Sequence, residues 1–328
     1  MSYDGKVMSR AIQRFEKDKQ TRQEQFQQRR EAIFRRQPRL REIESELRST
    51  MSRIIAGALR RGTDPKRAVE HLRDENLQLQ RERRELLRKM GLPEDCLEEK
   101  PACPLCNDTG YQNGRVCRCL RAYYGQEEQK ELSRMLDLGS QSFDTFNLDW
   151  YPNRLIPGKT VTYRQHMEER VYNACAEYAN RFGRKCENLL LFGEPGLGKT
   201  HLSAAIAREV SAAGFSVVYD TAGHVFQRFE TRKFNREEGA EEDVDRVLQC
   251  DLLILDDLGT EMTTAFVQSA LYEIVNTRLM EKRSTIISTN LTPLQLGQRY
   301  SPQLASRIEG EYQLLPFVGD DIRKLKKA

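Results

Sequence analysis

Eight consecutive residues carry the most readable chemistry in the chain: Gly193-Glu194-Pro195-Gly196-Leu197-Gly198-Lys199-Thr200. A glycine, four residues and then Gly-Lys-Thr is the spacing of a phosphate-cradling loop. The glycines permit a tight bend that aims backbone N–H groups at anionic oxygens. A helix starting at Lys199 would turn its positive dipole end toward the same charge. Lys199 is then placed to reach the β- and γ-phosphates of ATP, and the Thr200 hydroxyl to bind Mg²⁺. His201 follows directly and is included among the nucleotide-contacting residues.

Such a loop needs a carboxylate on a neighbouring strand. The apolar run Leu252–Leu255 ends in Asp256-Asp257, about 55 residues downstream. Asp256 would hold Mg²⁺, directly or through water. Asp257 would orient or deprotonate the attacking water. An Asp pair in isolation can merely end a strand; the upstream loop is what gives this one meaning. Aspartate at the second position is one methylene shorter than the glutamate of many such ATPases, so slow or partner-gated hydrolysis is expected.

Three further polar residues extend the set. A strand over Thr285–Ser288 leads to Asn290, whose amide could fix the attacking water. Arg307 falls in a short helix after Ser301-Pro302 and could reach the nucleotide of a neighbouring copy. A surface or salt-bridged arginine is the plainer alternative. Arg323 is a candidate second nucleotide sensor near the lysine-rich tail.

A second centre lies upstream. Cys103-Pro104-Leu105-Cys106 and Cys117-Arg118-Cys119 are separated by ten residues. Four thiolates satisfy tetrahedral Zn²⁺, and an all-protein ligand set makes a structural site. Gly110 and Asn113-Gly114 supply a turn that folds one pair back on the other. Disulfides are the alternative, disfavoured in a reducing compartment. A hairpin this small would take its folding energy from the metal. Cys96, Cys175, Cys186 and Cys250 are scattered and read as ordinary small residues.

Around these centres the chain divides in four. Its 328 residues suggest two domains with a helical extension. Residues 1–95 are expected to form a helical or coiled-coil partner-binding region, 96–125 a zinc-binding module, 126–165 a linker and 166–328 the ATPase domain. The first region is rich in Gln, Arg, Glu and Leu, with one apolar stripe at Leu40, Ile43, Leu47, Met51, Ile54 and Leu59. Pro38 interrupts an earlier helix containing Phe15, Phe26 and Phe34. Gly62-Thr63-Asp64-Pro65 reads as a stop and restart, and Gly91-Leu92-Pro93 as an end. In the linker, Phe143, Phe146, Trp150 and Tyr151 are expected to anchor onto the following domain. From about residue 166 onward short apolar strands alternate with helices, which predicts an α/β fold, a parallel sheet flanked by helices.

Charged residues make up 31% of the chain and net charge is +4. Residues 1–100 carry 25 Lys and Arg against 18 Asp and Glu, so they sum to +7 and the remainder to −3. A basic N-terminal third suits nucleic acid or an acidic partner, although interspersed signs also suit a plain solvated helix surface. Mean hydropathy is −0.70, and no apolar run reaches the ~20 residues of a membrane span. The opening residues lack an apolar core for secretion. A cytoplasmic location is expected.

The loop with His201, the Leu252–Asp257 strand, the strand ending at Asn290 and the segment around Arg307 together resemble the bacterial replicative helicase loaders, the DnaC/DnaI group of AAA+ ATPases, over about residues 95–325. IstB-like ATPases are related. The Cys103–Cys119 segment is similar to the zinc module of DnaI-type loaders. The resemblance implies an AAA+ P-loop core, ATP and Mg²⁺, single-stranded DNA contact and a hexameric replicative helicase bound through the N-terminal region. It also implies Asn290 as first sensor, Arg307 as a trans-acting arginine in a homo-oligomer, and Arg323 as second sensor. Basic and aromatic residues alternate over Val225–Arg236 (Phe226, Arg228, Phe229, Arg232, Lys233, Phe234, Arg236). They could stack on single-stranded DNA, or the aromatics could be core.

Three functions follow. One is a helicase loader or regulator switched by ATP. Another is an IstB-type transposition helper; such helpers generally lack a four-cysteine module, so Cys103–Cys119 favours the loader. The third is a weakly hydrolysing, nucleotide-dependent adaptor. A DnaA-type initiator is disfavoured, because only 21 residues follow Arg307.

Overall fold

The computed structural model describes residues 3–58, 65–135, 141–184, 187–234 and 240–326. Leu59, Gly62, Thr63, Asp64, Cys186 and Arg236 lie outside the described residues, as do the side chains of Met51, Ile54 and Phe234. The chain forms two compact units, one of residues Phe15–Gln112 and one of Met1–Arg14 with Asn113–Ala328.

The smaller unit is helical. It holds most of α1 (Gly5–Arg36), all of α2 (Pro38–Ala58) and α3 (Pro65–Lys89). Pro38 opens α2 at the position where its missing N–H costs nothing. Arg35 and Arg36 close α1, and Arg88 and Lys89 close α3, each pair against the negative end of its helix dipole. Phe34, Leu40, Leu87 and Leu97 are buried together, with Leu86, Leu92 and Cys96 packed around them. The apolar stripe of α2 is therefore spent inside the unit at its first turns: Leu40 and Ile43 are fully buried. Arg39 bridges α2 to α3, donating to both oxygens of Glu82 at 2.9 and 3.1 Å and to Glu42 and Glu46. These pairs are exposed, so they set register more than stability.

Residues 101–120 make a short hairpin whose ribbon is β1 (Tyr111–Gln112) and β2 (Arg115–Val116). Asn113 at φ +51 and Gly114 at φ +74 form its turn.

The larger unit contains α4 (Arg118–Met135), α5 (Tyr163–His166), α6 (Asn173–Arg181), β3 (Asn188–Phe192), α7 (Lys199–Ala212), β4 (Val217–Thr221), α8 (Ala222–Phe234), α9 (Ala240–Gln249), β5 (Leu252–Leu258), α10 (Ala265–Met280), β6 (Ser284–Thr289), α11 (Pro293–Arg299), α12 (Pro302–Glu311), β7 (Tyr312–Pro316) and α13 (Ile322–Leu325). The five long strands form one sheet in the order β4-β5-β6-β3-β7, all parallel. Alternate residues of each strand enter opposite cores. Leu189, Leu191, Leu252 and Ile254 pack under α6 and α7; Leu190, Leu253, Leu255 and Ile287 pack against α8–α12. Two covered faces explain why these strands read as unbroken apolar runs.

Helix α4 runs from the stretch expected as the zinc module into the one expected as a linker. It lies close on α7: a Cβ on Gly125 would stand 2.6 Å from the Ser211 carbonyl oxygen. The N-terminal arm docks on the same unit. Tyr3 meets Tyr124 edge-on at 4.9 Å, the Asp4 N–H donates to the Tyr124 hydroxyl, and the Asp4 carboxylate pairs with Arg246 at 3.0 Å.

Arg278 on α10 is fully buried. Its Nη1 donates to the carbonyls of Val247, Leu248 and Cys250, its Nη2 to Ser284 O, and its Nε to Thr285 Oγ1. The charge sits at the C-terminal end of α9, where the helix dipole is negative. Arg278→Met would leave several buried acceptors without donors, at about 1–3 kcal/mol each. Urea unfolding is expected to show a loss of roughly 3 kcal/mol or more. A loss below about 1 kcal/mol would contradict the staple role.

Candidate functional site

The sheet order decides the geometry of the site. β6 lies between β3, which feeds the glycine loop, and β5, which carries the Asp pair. Asn290, one residue beyond β6, thus falls between the loop and the carboxylates. The three expected elements meet around one cavity of about 380 Å³. Gly196, Lys199, Thr200, His201, Asp257, Asn290 and Arg323 line it.

Gly193, Gly196 and Gly198 all have positive φ, at +145°, +80° and +85°. Gly198 also has no room for a side chain, since a Cβ would meet Phe146 at 2.9 Å and the Tyr151 hydroxyl at 3.1 Å. That hydroxyl donates to Leu197 O at 2.8 Å. The Phe317 N–H donates to Phe192 O at 2.7 Å and the Ile322 N–H to Gly196 O at 3.1 Å. Arg154 grips Asp320 with bonds of 2.7 and 2.9 Å. The residues before α5 and after β7 therefore clasp the loop from both sides.

Lys199 is buried, and its Nζ donates to Gly193 O at 2.7 Å, Glu194 O at 2.8 Å and Asn290 Oδ1 at 2.7 Å. Burial pulls the ammonium down to about 8, against the opposing pull of Asp257, Asp256 and Glu194. The carboxyl of Asp257 is pushed up, first by burial and then by the charge of Asp256. Asp257 has φ +52 and sits at a β-bulge: the ladder runs Leu255↔Ile287 and then Leu258↔Thr289. One extra residue on β5 swings the Asp257 side chain out of the sheet and into the cavity.

Asp256 is placed differently from its neighbour. It is buried and is not among the cavity-lining residues. Its Oδ2 accepts from the Tyr219 hydroxyl at 2.8 Å and its Oδ1 from the Asp257 N–H at 3.1 Å. No sequence motif marks Tyr219; its link to Asp256 becomes visible only when β4 is laid beside β5.

The other expected residues are located as follows. Glu194 and Pro195 are exposed on the loop and Leu197 is buried under Tyr151. His201 Nε2 lies 2.9 Å from Ser142 O and 3.2 Å from Thr145 Oγ1, tethering that segment to α7. Phe146 and Trp150, expected only as anchors, also line the cavity, with Lys326 over the Trp150 ring at 5.8 Å. Arg307 lies elsewhere, donating to the Tyr272 hydroxyl at 3.3 Å with its guanidinium 5.4 Å from that ring. Within one chain it does not line the cavity. On α8, Phe226 and Phe229 are core, Arg228 pairs with Asp220 and Arg232 with Glu273.

The sulfur atoms of Cys103, Cys106, Cys117 and Cys119 lie within 4.8 Å of one another. The edge of a zinc–thiolate tetrahedron is about 3.8 Å, so the cluster is close to ligand geometry. Asp108 accepts from the N–H groups of Ala102 and Cys103 at 2.9 and 2.8 Å, holding the first ligand turn.

The family described as IstB-like ATP binding protein matches residues 162–308. The replicative helicase loader DnaC of Buchnera aphidicola subsp. Baizongia pistaciae is 28% identical over 162 residues, 48% of this chain. Residues 162–308 thus resemble IstB-like ATP binding proteins, and the chain is similar to DnaC over about half of its length. A putative insertion sequence ATP-binding protein of Sinorhizobium fredii is 36% identical over 106 residues, 32% of this chain. The matched stretches cover 64% and 35% of those two relatives, less than two thirds of either. A crystal structure of the DnaC helicase loader aligns with a TM-score of 0.46 at 21% identity, over 56% of this chain and 99% of that one. No helix among the described residues is long and apolar enough to cross a membrane.

Proposed function

We propose that this chain is an ATP-switched DNA replication protein that loads or regulates a hexameric replicative helicase on single-stranded DNA. One observation carries the ATPase part. A glycine loop with a buried lysine, an asparagine and an aspartate of raised affinity for protons all line the same cavity. In this reading the loop amides and Lys199 hold the triphosphate, with Asn290 exchanging its lysine contact for the γ-phosphate side. Asp257 orients the attacking water. Arg323 adds positive charge from the tail. Phe146 and Trp150 offer aromatic surface beside the loop. Arg307 acts on the nucleotide of a second copy, since its own cavity is out of reach.

Mg²⁺ fits the donors present. A hydroxyl (Thr200) and two carboxylates (Asp256, Asp257) are hard oxygen ligands. Thr200 and, through water, Asp256 would hold it. The ion would neutralise charge on the phosphates. Zn²⁺ fits the four thiols, as a structural ion for residues 101–120. The DnaC relatives support the replication reading, and the insertion-sequence relative keeps an IstB-type transposition helper as the alternative.

Assays of turnover, partner capture and metal content test this. In steady-state assays the full chain is expected to hydrolyse ATP slowly and single-stranded DNA to raise the rate. Asp257→Asn should cut turnover by about 10² or more while ATP still binds. Capture of a hexameric helicase by the full chain supports loading, and capture of a transposase overturns it. Native mass spectrometry should find one zinc per chain, lost in Cys117→Ser together with protease resistance around residues 101–120. A metal-free, equally resistant wild-type chain would exclude the zinc site.

A further inference from the structure

The Tyr219 hydroxyl bonds a carboxylate oxygen of Asp256, and the phosphate-loop reading leaves it without a task. Tyr219 is buried on β4, where it pairs in register with Ile254, two residues before Asp256. Two residues along a strand advance about 6.6 Å, a reach that suits a side chain as long as tyrosine. Its hydroxyl donates to Asp256 Oδ2 at 2.8 Å. The second carboxylate oxygen, Oδ1, accepts from the Asp257 N–H at 3.1 Å. Asp257 adopts φ +52 at the bulge that turns it into the cavity. One carboxylate thus joins a side chain of the neighbouring strand to the amide that shapes the next residue. The ring itself packs among Leu252, Ile254 and Leu202 in the core under α7. Phenylalanine would keep that packing and lose only the donor.

We propose that Tyr219 is a positioning residue for the metal-side carboxylate. It holds Asp256 in a single orientation and, through the Asp257 amide, steadies the bulge that presents Asp257. The proposal rests on reading the cavity as a Mg²⁺–nucleotide site. Hydrogen-bond partners of metal-side ligands typically govern metal affinity by about 10- to 100-fold. The effect should therefore appear in the metal dependence of nucleotide binding and not in binding as such.

The test is calorimetric titration of the full chain with ATP, once in Mg²⁺ and once in EDTA, for wild type, Tyr219→Phe, Asp256→Asn and the double variant. Wild type is expected to bind ATP more tightly in Mg²⁺. Tyr219→Phe should lose roughly tenfold of that advantage, with its EDTA affinity within about twofold of wild type. Adding Tyr219→Phe to Asp256→Asn should cost nothing further, because both act through one carboxylate. An unchanged Mg²⁺ advantage in Tyr219→Phe overturns the proposal. So does an increased one, which would make the phenol a competitor of the metal. Equal losses in Mg²⁺ and EDTA overturn it too, since they would report packing alone. A wild-type chain without Mg²⁺-dependent ATP binding overturns the site reading itself, an outcome separable from failure of the Tyr219 role because it is read on wild type alone.

Discussion

A single buried ammonium organises the larger unit. Lys199 is only 5% exposed, and removing such a charge from water costs several kcal/mol unless it is well partnered. Its hydrogen-bond partners come from two places: the loop carbonyls of Gly193 and Glu194, and the Asn290 side chain beyond β6. Asp256 and Asp257 add compensating charge from β5. Because the strands are all parallel, their C-terminal ends share one end of the sheet, and the order with β6 between β3 and β5 sets Asn290 between the loop and the acid pair.

The surroundings keep that end stiff. Tyr151, Arg154, Phe317 and Ile322 tie the loop to segments on either side of the domain sequence. At the far side of the sheet Arg278 fastens α9, α10 and β6 through main-chain carbonyls. Arg278 is a polar group inside apolar packing, and each of its guanidinium nitrogens has a hydrogen-bond partner. A half-satisfied version would be worse than an apolar residue. The site also stores local strain at one non-glycine position, Asp257 in the left-handed region.

The cavity-lining elements were legible because their signals are local. An apolar run, a glycine turn and a helix follow one another within residues 188–212, and the Asp pair closes the next buried strand. The start of α12 was legible for the same reason: Ser301, a short polar side chain, precedes Pro302 and caps the helix. What escaped depends on contacts distant in sequence. Helix α4 has a polar sequence with almost no apolar stripe, and its docking relies on the bare backbone at Gly125. The arm contact between Asp4 and Arg246 joins residues far apart in the chain. Tyr219 looks like any strand aromatic until β4 and β5 are aligned. Phe226 and Phe229, which could have been stacking platforms, are core because α8 lies flat on the sheet.

The central claim is that Lys199 and the glycine loop form a triphosphate site. It is tested most directly by calorimetry of ATP binding to the full chain and to Lys199→Ala at fixed pH in EDTA, where no metal contributes. The account predicts one site per chain in wild type and a loss of at least about tenfold in the variant, since a charge-assisted contact to phosphate is worth roughly 1.5–3 kcal/mol. Equal affinity in the two proteins would contradict it.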